Sequence, residues 1–177
     1  MVEHNALDVL STVALFGLYG EPVFGLEPTD LARAARCVAR AGEGEVAMNL
    51  VERAIERGGG VVAVRARGDL AKSRGDKARA LADYEDLALT VDDADLRLQL
   101  SKLYEHHVRA PDRALLTAMA GTGEDDEAHA KRLERLRLKV ERRADKERAR
   151  AVVLAAREAK AAARAARRCP PREPQLP

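Results

Sequence analysis

The chain has 177 residues, enough for one domain with its own core or a small domain followed by a tail. Its composition, 46% hydrophobic and 34% charged with only 3% aromatic residues, points to an Ala-, Leu-, Arg- and Glu-rich helical protein rather than a sandwich or barrel. The formal net charge is only +2, yet sixteen of the 31 Lys and Arg residues fall between Lys131 and Arg172, so a basic tail follows an acidic body.

The first predicted helix runs from Glu3 to Tyr19, with Leu7, Leu10, Ala14 and Leu18 at helical spacing and Val9, Val13 and Phe16 widening the apolar face. Its uninterrupted apolar part is too short to span a bilayer, and Glu3 and Asp8 stand where a secretory signal would carry Lys or Arg. The expectation is a soluble cytoplasmic chain with no membrane partner. Cys37 and Cys169 lie far apart in no metal-ligand or redox spacing and read as a core thiol and a tail thiol.

Two Gly and two Pro in residues 20–28 make a connector. Thr29 or Asp30 is then the expected N-cap of a helix with Leu31, Ala35, Val38 and Ala41 on one face. Gly42-Glu43-Gly44 turns the chain, and Val46, Leu50 and Ala54 give the returning helix a core face up to Gly58-Gly59-Gly60. The pattern recurs: Gly42 is matched by Gly75, the Ala47/Val51/Ala54 face by Ala80/Tyr84/Leu87, and a third pair follows in Leu96 to His107 and Pro111 to Ala120. A period of 33–34 residues with two helices per unit is the mark of tetratricopeptide-type arrays. Gly68, Ala71, Gly75, Ala80 and Tyr84 resemble that family's small-residue and aromatic spacing, while Arg67 at an apolar position and the absence of Trp make the repeats degenerate. After a loop at Gly121 to Asp126, a long helix opens with a narrow stripe of Leu133, Leu136 and Val140, enough to cap a stack, and continues as an Ala/Arg-rich stretch with a weak Val152, Val153, Ala156 face before a disordered CPPREPQLP end.

The chemistry-bearing residues come first in the chain. His4 and Asp8 are four apart and share one helix face, close enough to address a common ion or its bound water, with Asn5 beside them; the bland reading is an N-terminal cap favoured by the helix dipole. The wider stretch EHNALDVLSTVALFGLYG resembles the last active-site helix of ribonuclease H-fold exonucleases of the DEDD type, most closely the YprB-like ribonuclease H-like family, through His4, Asn5, Asp8, Val9, Leu10 and Ser11. KLYEHHVRAPDRAL, residues 102–115, is similar to the repeat segment that some members of that family carry. The resemblance implies that Asp8 is the final acidic ligand of a two-metal site for Mg²⁺ or Mn²⁺, and that His4 stands where a Tyr or His orients the attacking water. It also implies further carboxylates, from an Asp-x-Glu strand and another Asp, that lie before this helix. Only Met1, Val2 and Glu3 precede it here, and one carboxylate with one imidazole does not hold two divalent ions. This chain by itself is therefore expected to be inactive and to need no cofactor, as the C-terminal part of a longer metal-dependent nuclease.

Other candidates are weaker. Adjacent His106 and His107 diverge by about 100° on a helix and read as surface or groove histidines, and His129 stands alone. The glycine clusters are turns, since no strand precedes them and no Gly-Lys-Ser/Thr follows. The basic tail attracts phosphate backbones in one reading and is a salt-bridged solvated helix in the other, with Glu134, Glu141, Asp145, Glu147 and Glu158 interspersed and no aromatic residue to stack on bases.

The expected architecture is all-α: residues 1–20 as the last helix of a ribonuclease H-like domain, 21–29 as linker, 30–143 as degenerate tetratricopeptide-like hairpins, and 144–177 as a basic helix and tail. Three functions compete: a helical-repeat scaffold or substrate guide within a nuclease, a free-standing module that takes a protein or peptide in the repeat groove, and nucleic-acid binding through the basic tail.

Overall fold

In a computed structural model of the chain, residues 25–168 are described, with side chains through 164. They form α1 (Pro28–Arg40), α2 (Gly44–Glu56), α3 (Gly60–Ser73), α4 (Lys77–Ala88), α5 (Ala94–Leu103) continued by a π-helical turn (Tyr104–Val108), α6 (Pro111–Met119) and α7 (Asp126–Arg168), with no strand among the described residues. The fold is an all-α helical-repeat stack.

Local chemistry sets the helix ends. Pro28 and Pro111 occupy the first turns of α1 and α6, where the missing N–H has no intrahelical partner to lose. Asp76 caps α4 by accepting from the Arg79 N–H at 3.0 Å, and Asp93 caps α5 by accepting from the Asp95 N–H at 2.9 Å. Gly42 and Gly75, thirty-three residues apart, both take the left-handed conformation (φ 94° and 86°) that ends the preceding helix and reverses the chain.

Helices α1/α2, α3/α4 and α5/α6 pair as hairpins, α3 also lies against α1 and α2, and α7 closes the stack on α6. Two cores result. Leu31, Ala35, Ala47, Leu50, Val51, Ala54, Ala66 and Leu70 fill the first, and Tyr84, Leu87, Leu96, Leu100, Leu103, Tyr104, Ala114 and Leu136 fill the second, with Met48 touching both. The many buried alanines bring helix backbones close; the few large side chains supply most of the burial, roughly 2 kcal/mol for each fully buried Leu or Val.

The small-residue and aromatic pair of the middle hairpin works as its spacing predicts. A β-carbon on Gly68 would stand 2.6 Å from Tyr84 Cε1, so the Tyr84 ring occupies the space that glycine leaves, and the ring is wholly buried. Its hydroxyl donates to Asp69 Oδ1 at 2.7 Å, and burial, reinforced by Asp69, pushes its pKa well above the ordinary tyrosine value. Arg67, the residue that spoils the apolar pattern, makes a two-pronged contact with Asp83 (Nη2–Oδ1 2.6 Å, Nε–Oδ2 3.0 Å), so α3 and α4 are joined there by charge instead of packing.

Several expectations are corrected. The N-cap of α1 is Glu27, not Thr29 or Asp30, because the helix already starts at Pro28. Val46 is 48% exposed and Ala41 is exposed; the phase of α2 turns Ala47, Leu50, Val51 and Ala54 inward. Cys37 is exposed on α1, where Leu31, Ala32 and Ala35 face the core. His129 is not alone: its Nδ1 lies 3.0 Å from the buried Thr122 hydroxyl, which bonds Glu124. Among the described residues no helix is long and apolar enough to cross a membrane.

Candidate functional site

His4 and Asp8, with the first predicted helix and Cys169, lie outside the described residues. Among the described residues no group of three or more His, Cys, Asp or Glu side chains is arranged to hold a metal ion. The chemistry on view is instead electrostatic, and it is concentrated on α7.

This helix is 43 residues long, about 65 Å at ~1.5 Å per residue. Its first turns are fastened to the body. Leu136 is fully buried and Leu133 and Val140 partly so, as the stripe in the sequence predicts. The stronger clasp is polar: Glu105, whose side chain is completely buried in the π-helical turn, accepts from Arg135 (Nη2–Oε2 2.9 Å) and Lys139 (2.7 Å). Burial alone would raise the Glu105 pKa, but the hydrogen bonds and charges of Arg135 and Lys139 outweigh it and hold the carboxyl at about 2. Arg132 binds Glu124 through two hydrogen bonds at 2.6 and 2.7 Å, which, against a smaller opposing effect of burial, also brings Glu124 to about 2.

From Asp145 onward every described side chain of α7 is exposed. At ~100° per residue, Lys131, Arg135, Lys139, Arg142, Lys146, Arg150, Arg157, Lys160 and Arg164 fall in one sector of the helix, about 100° wide, that contains no acid. Glu134, Glu141 and Asp145 lie on one flank of it, Glu147 and Glu158 on the other. The acids that looked interspersed along the sequence are therefore segregated around the helix.

The sector changes character along its length. Lys131, Arg135 and Lys139 are paired, with Glu127 or Glu105. Arg142, Lys146, Arg150, Arg157, Lys160 and Arg164 make no side-chain hydrogen bond or ion pair with any described residue. In the hairpins, by contrast, Arg36, Arg65, Arg67, Arg74, Arg79, Arg97 and Arg113 each hold at least one carboxylate. Outside the basic sector the outer part of α7 carries alanines together with Glu147, Arg148 and Glu158, and its large apolar side chains Val152, Val153 and Leu154 (69%, 53% and 58% exposed) point in three different directions, Val153 within the sector itself.

A second polar surface joins the first helices of the hairpins. Asp69 receives Arg36 (2.8 Å) and Arg65 (3.3 Å); Arg65 reaches on to Asp93 and Asp95, and Lys72 to Gln99. Arg36, Arg40, Asp69 and Ser73 line an open hollow of about 380 Å³ between α1 and α3. His106, 3.6 Å from Glu105, and His107 sit at the surface, as the sequence suggests.

The chain matches no protein-family model and none of the curated proteins.

Proposed function

We propose that this chain is a cytoplasmic helical-repeat scaffold whose α7 is a nucleic-acid-binding arm, serving as scaffold or substrate guide to ribonuclease H-like nuclease chemistry of the kind that residues 4–11 resemble. The observation that carries the reading is the run of six cations, Arg142 to Arg164, that have no partner among the described residues and share an acid-free face of a helix whose described side chains from Asp145 onward are all exposed. A rod bearing fixed positive charges and no aromatic side chains on that face binds phosphate backbones through counterion release, without reading bases. A lipid surface is disfavoured: alanine methyl groups bury little area, and the three large apolar side chains Val152, Val153 and Leu154 are spread around the helix and form no single apolar face.

Binding of a labelled 30-mer to the full chain, followed by anisotropy from 50 to 300 mM salt, tests this. Neutralising six phosphates predicts a log–log salt slope of about −5. Arg157→Glu, Lys160→Glu and Arg164→Glu together should abolish binding and leave the helical circular dichroism unchanged. A flat salt response, or equal binding by the triple variant, overturns the reading. The scaffold role has its own test: in magnesium buffer the chain alone should leave oligonucleotides intact, and degradation that disappears with Asp8→Ala would make the chain itself the enzyme.

A protein-interaction module is the second reading, favoured by the charged hollow between α1 and α3. It predicts that a peptide with acidic residues binds there and that Arg36→Ala with Arg40→Ala releases it; peptide binding insensitive to those changes rejects it.

A further inference from the structure

Where α7 leaves the body, a hollow of about 320 Å³ is lined by Arg109, Lys139, Arg142, Arg143, Lys146 and Glu105. The single carboxylate there cannot neutralise the hollow, because Glu105 is buried and already holds Arg135 and Lys139. Arg143 is shared between Asp112 and Glu147. Arg109, Arg142 and Lys146 are left without any side-chain partner among the described residues, three full charges around one opening. Farther out, the basic sector carries single cations, Arg150, Arg157, Lys160 and Arg164, spaced along the rod.

The backbone at this hollow is unusual in two ways at once. Tyr104–Val108 is a π-helical turn, a widened form found mostly as isolated turns and often at functional positions. Arg109, which ends it, sits at φ 58°, ψ 39°, in the left-handed region. Every other described residue with positive φ is a glycine. Glycine would close this turn without the strain that a β-carbon suffers there. An arginine in that conformation whose side chain makes no hydrogen bond or ion pair with any described residue is strain without such a return, and strained residues of this kind gather where a ligand is held.

A phosphodiester carries one negative charge, whereas a phosphate monoester carries nearly two at neutral pH and offers three acceptor oxygens. Two guanidinium forks and an ammonium group suit the second. We infer that the hollow formed by Arg109, Arg142 and Lys146 is a phosphate-monoester site that seats the terminal phosphate of a nucleic-acid strand whose backbone runs outward along α7. This rests on the proposed nucleic-acid reading of α7, and adds to it a polarity: the end of the strand at the body, the rest along the arm.

The test compares 15-mer single strands carrying a 5′-phosphate, a 3′-phosphate or hydroxyls at both ends, bound to the full chain at one salt concentration. One phosphorylated end should bind about tenfold more tightly than the hydroxyl-ended strand, the size of one good charge-assisted contact. Arg109→Gly should remove that preference, keep the affinity for the hydroxyl-ended strand, and leave the melting temperature unchanged or raised, an outcome that a merely structural arginine would not produce. Arg142→Gln with Lys146→Gln should also remove the preference. Equal affinity for all three strands with a steep salt slope sinks the terminal-phosphate site and spares the arm. A preference that survives Arg109→Gly sinks the site as assigned here, and failure of every strand to bind sinks both.

Discussion

The hairpin body and the outer half of α7 use the same residue types to opposite ends. In the body arginine is structural: Arg67 binds Asp83, Arg65 spans from Asp69 to Asp93, and Arg113 lies 4.3 Å from the Tyr104 ring centroid while bonding Glu85. Beyond Ala144 only Arg148 is paired, with Asp145 one turn back on its own helix, while Arg150, Arg157 and Arg164 bond no described residue, and alanine covers much of the rest of the helix instead of filling a core. The difference shows that charge content alone does not reveal what a basic segment does. Where each cation has an acid within reach, the charges fasten helices together; where a sector has none, they remain available to an outside partner.

The largest loss is expected in the body, at Tyr84. Replacing it with alanine removes the plug between α3 and α4 and leaves Asp69 without its hydroxyl donor, a destabilisation of about 4 kcal/mol by analogy with large-to-small aromatic changes. Chemical denaturation should show it as a lower midpoint. A loss below about 1 kcal/mol would mean that the Gly68–Tyr84 contact does not hold the middle hairpin together.

Glu105 comes next, because it fastens the inner half of α7 to the body. Its pKa in the folded chain, about 2, lies below its ordinary 4.5, so its stabilisation is complete above that ordinary value and disappears as the pH falls from there toward 2. For a fully buried carboxylate this amounts to roughly 3 kcal/mol. Glu105→Gln should lower stability at pH 7 by about 2–3 kcal/mol and make the melting temperature less sensitive to pH between 5 and 3. Equal acid sensitivity in the variant would show that the clasp between the π-helical turn and α7 is not the group that titrates. Gly68→Ala follows at about 2 kcal/mol, since its β-carbon would meet a ring that has no room to retreat.

These three sites differ in how far the sequence exposed them. The 33-residue step from Gly42 to Gly75 and the Gly68–Tyr84 spacing were legible because close helix approach and helix reversal demand specific residue types at fixed offsets. The phase of α2 was not: Val46 and Ala47 are both apolar, and only the angle at which the hairpin closes decides which faces inward. Arg67 looked like an error in the pattern until Asp83, sixteen residues later, supplied its partner. The acid-free sector of α7 was available by projecting residues 131–164 around a helix, but reading acids and bases in linear order hid it. The strained Arg109 could not be foreseen, because the π-helical turn before it carries Glu105 to cations thirty or more residues away, a contact no local pattern encodes. The opening residues His4 and Asp8 remain where the sequence reading left them, outside the described residues.

Ala159 lies in the exposed outer part of α7, where its neighbours are solvent and its own helix. Ala159→Gly should cost the arm about 1 kcal/mol of helix propensity, enough to loosen a helix that has no tertiary contact to compensate. The body should not register it, because no described side chain after Ala144 is even partly buried. Hydrogen exchange would therefore quicken around residue 159 while amides of α3 to α6 keep their protection, and the denaturation midpoint of the body would stay within error. A comparable change at Ala80, buried against the core, would spread through the whole stack. If Ala159→Gly instead lowered the midpoint of the body, the arm would be part of the cooperative unit, and its six cations without a partner among the described residues would need a structural explanation.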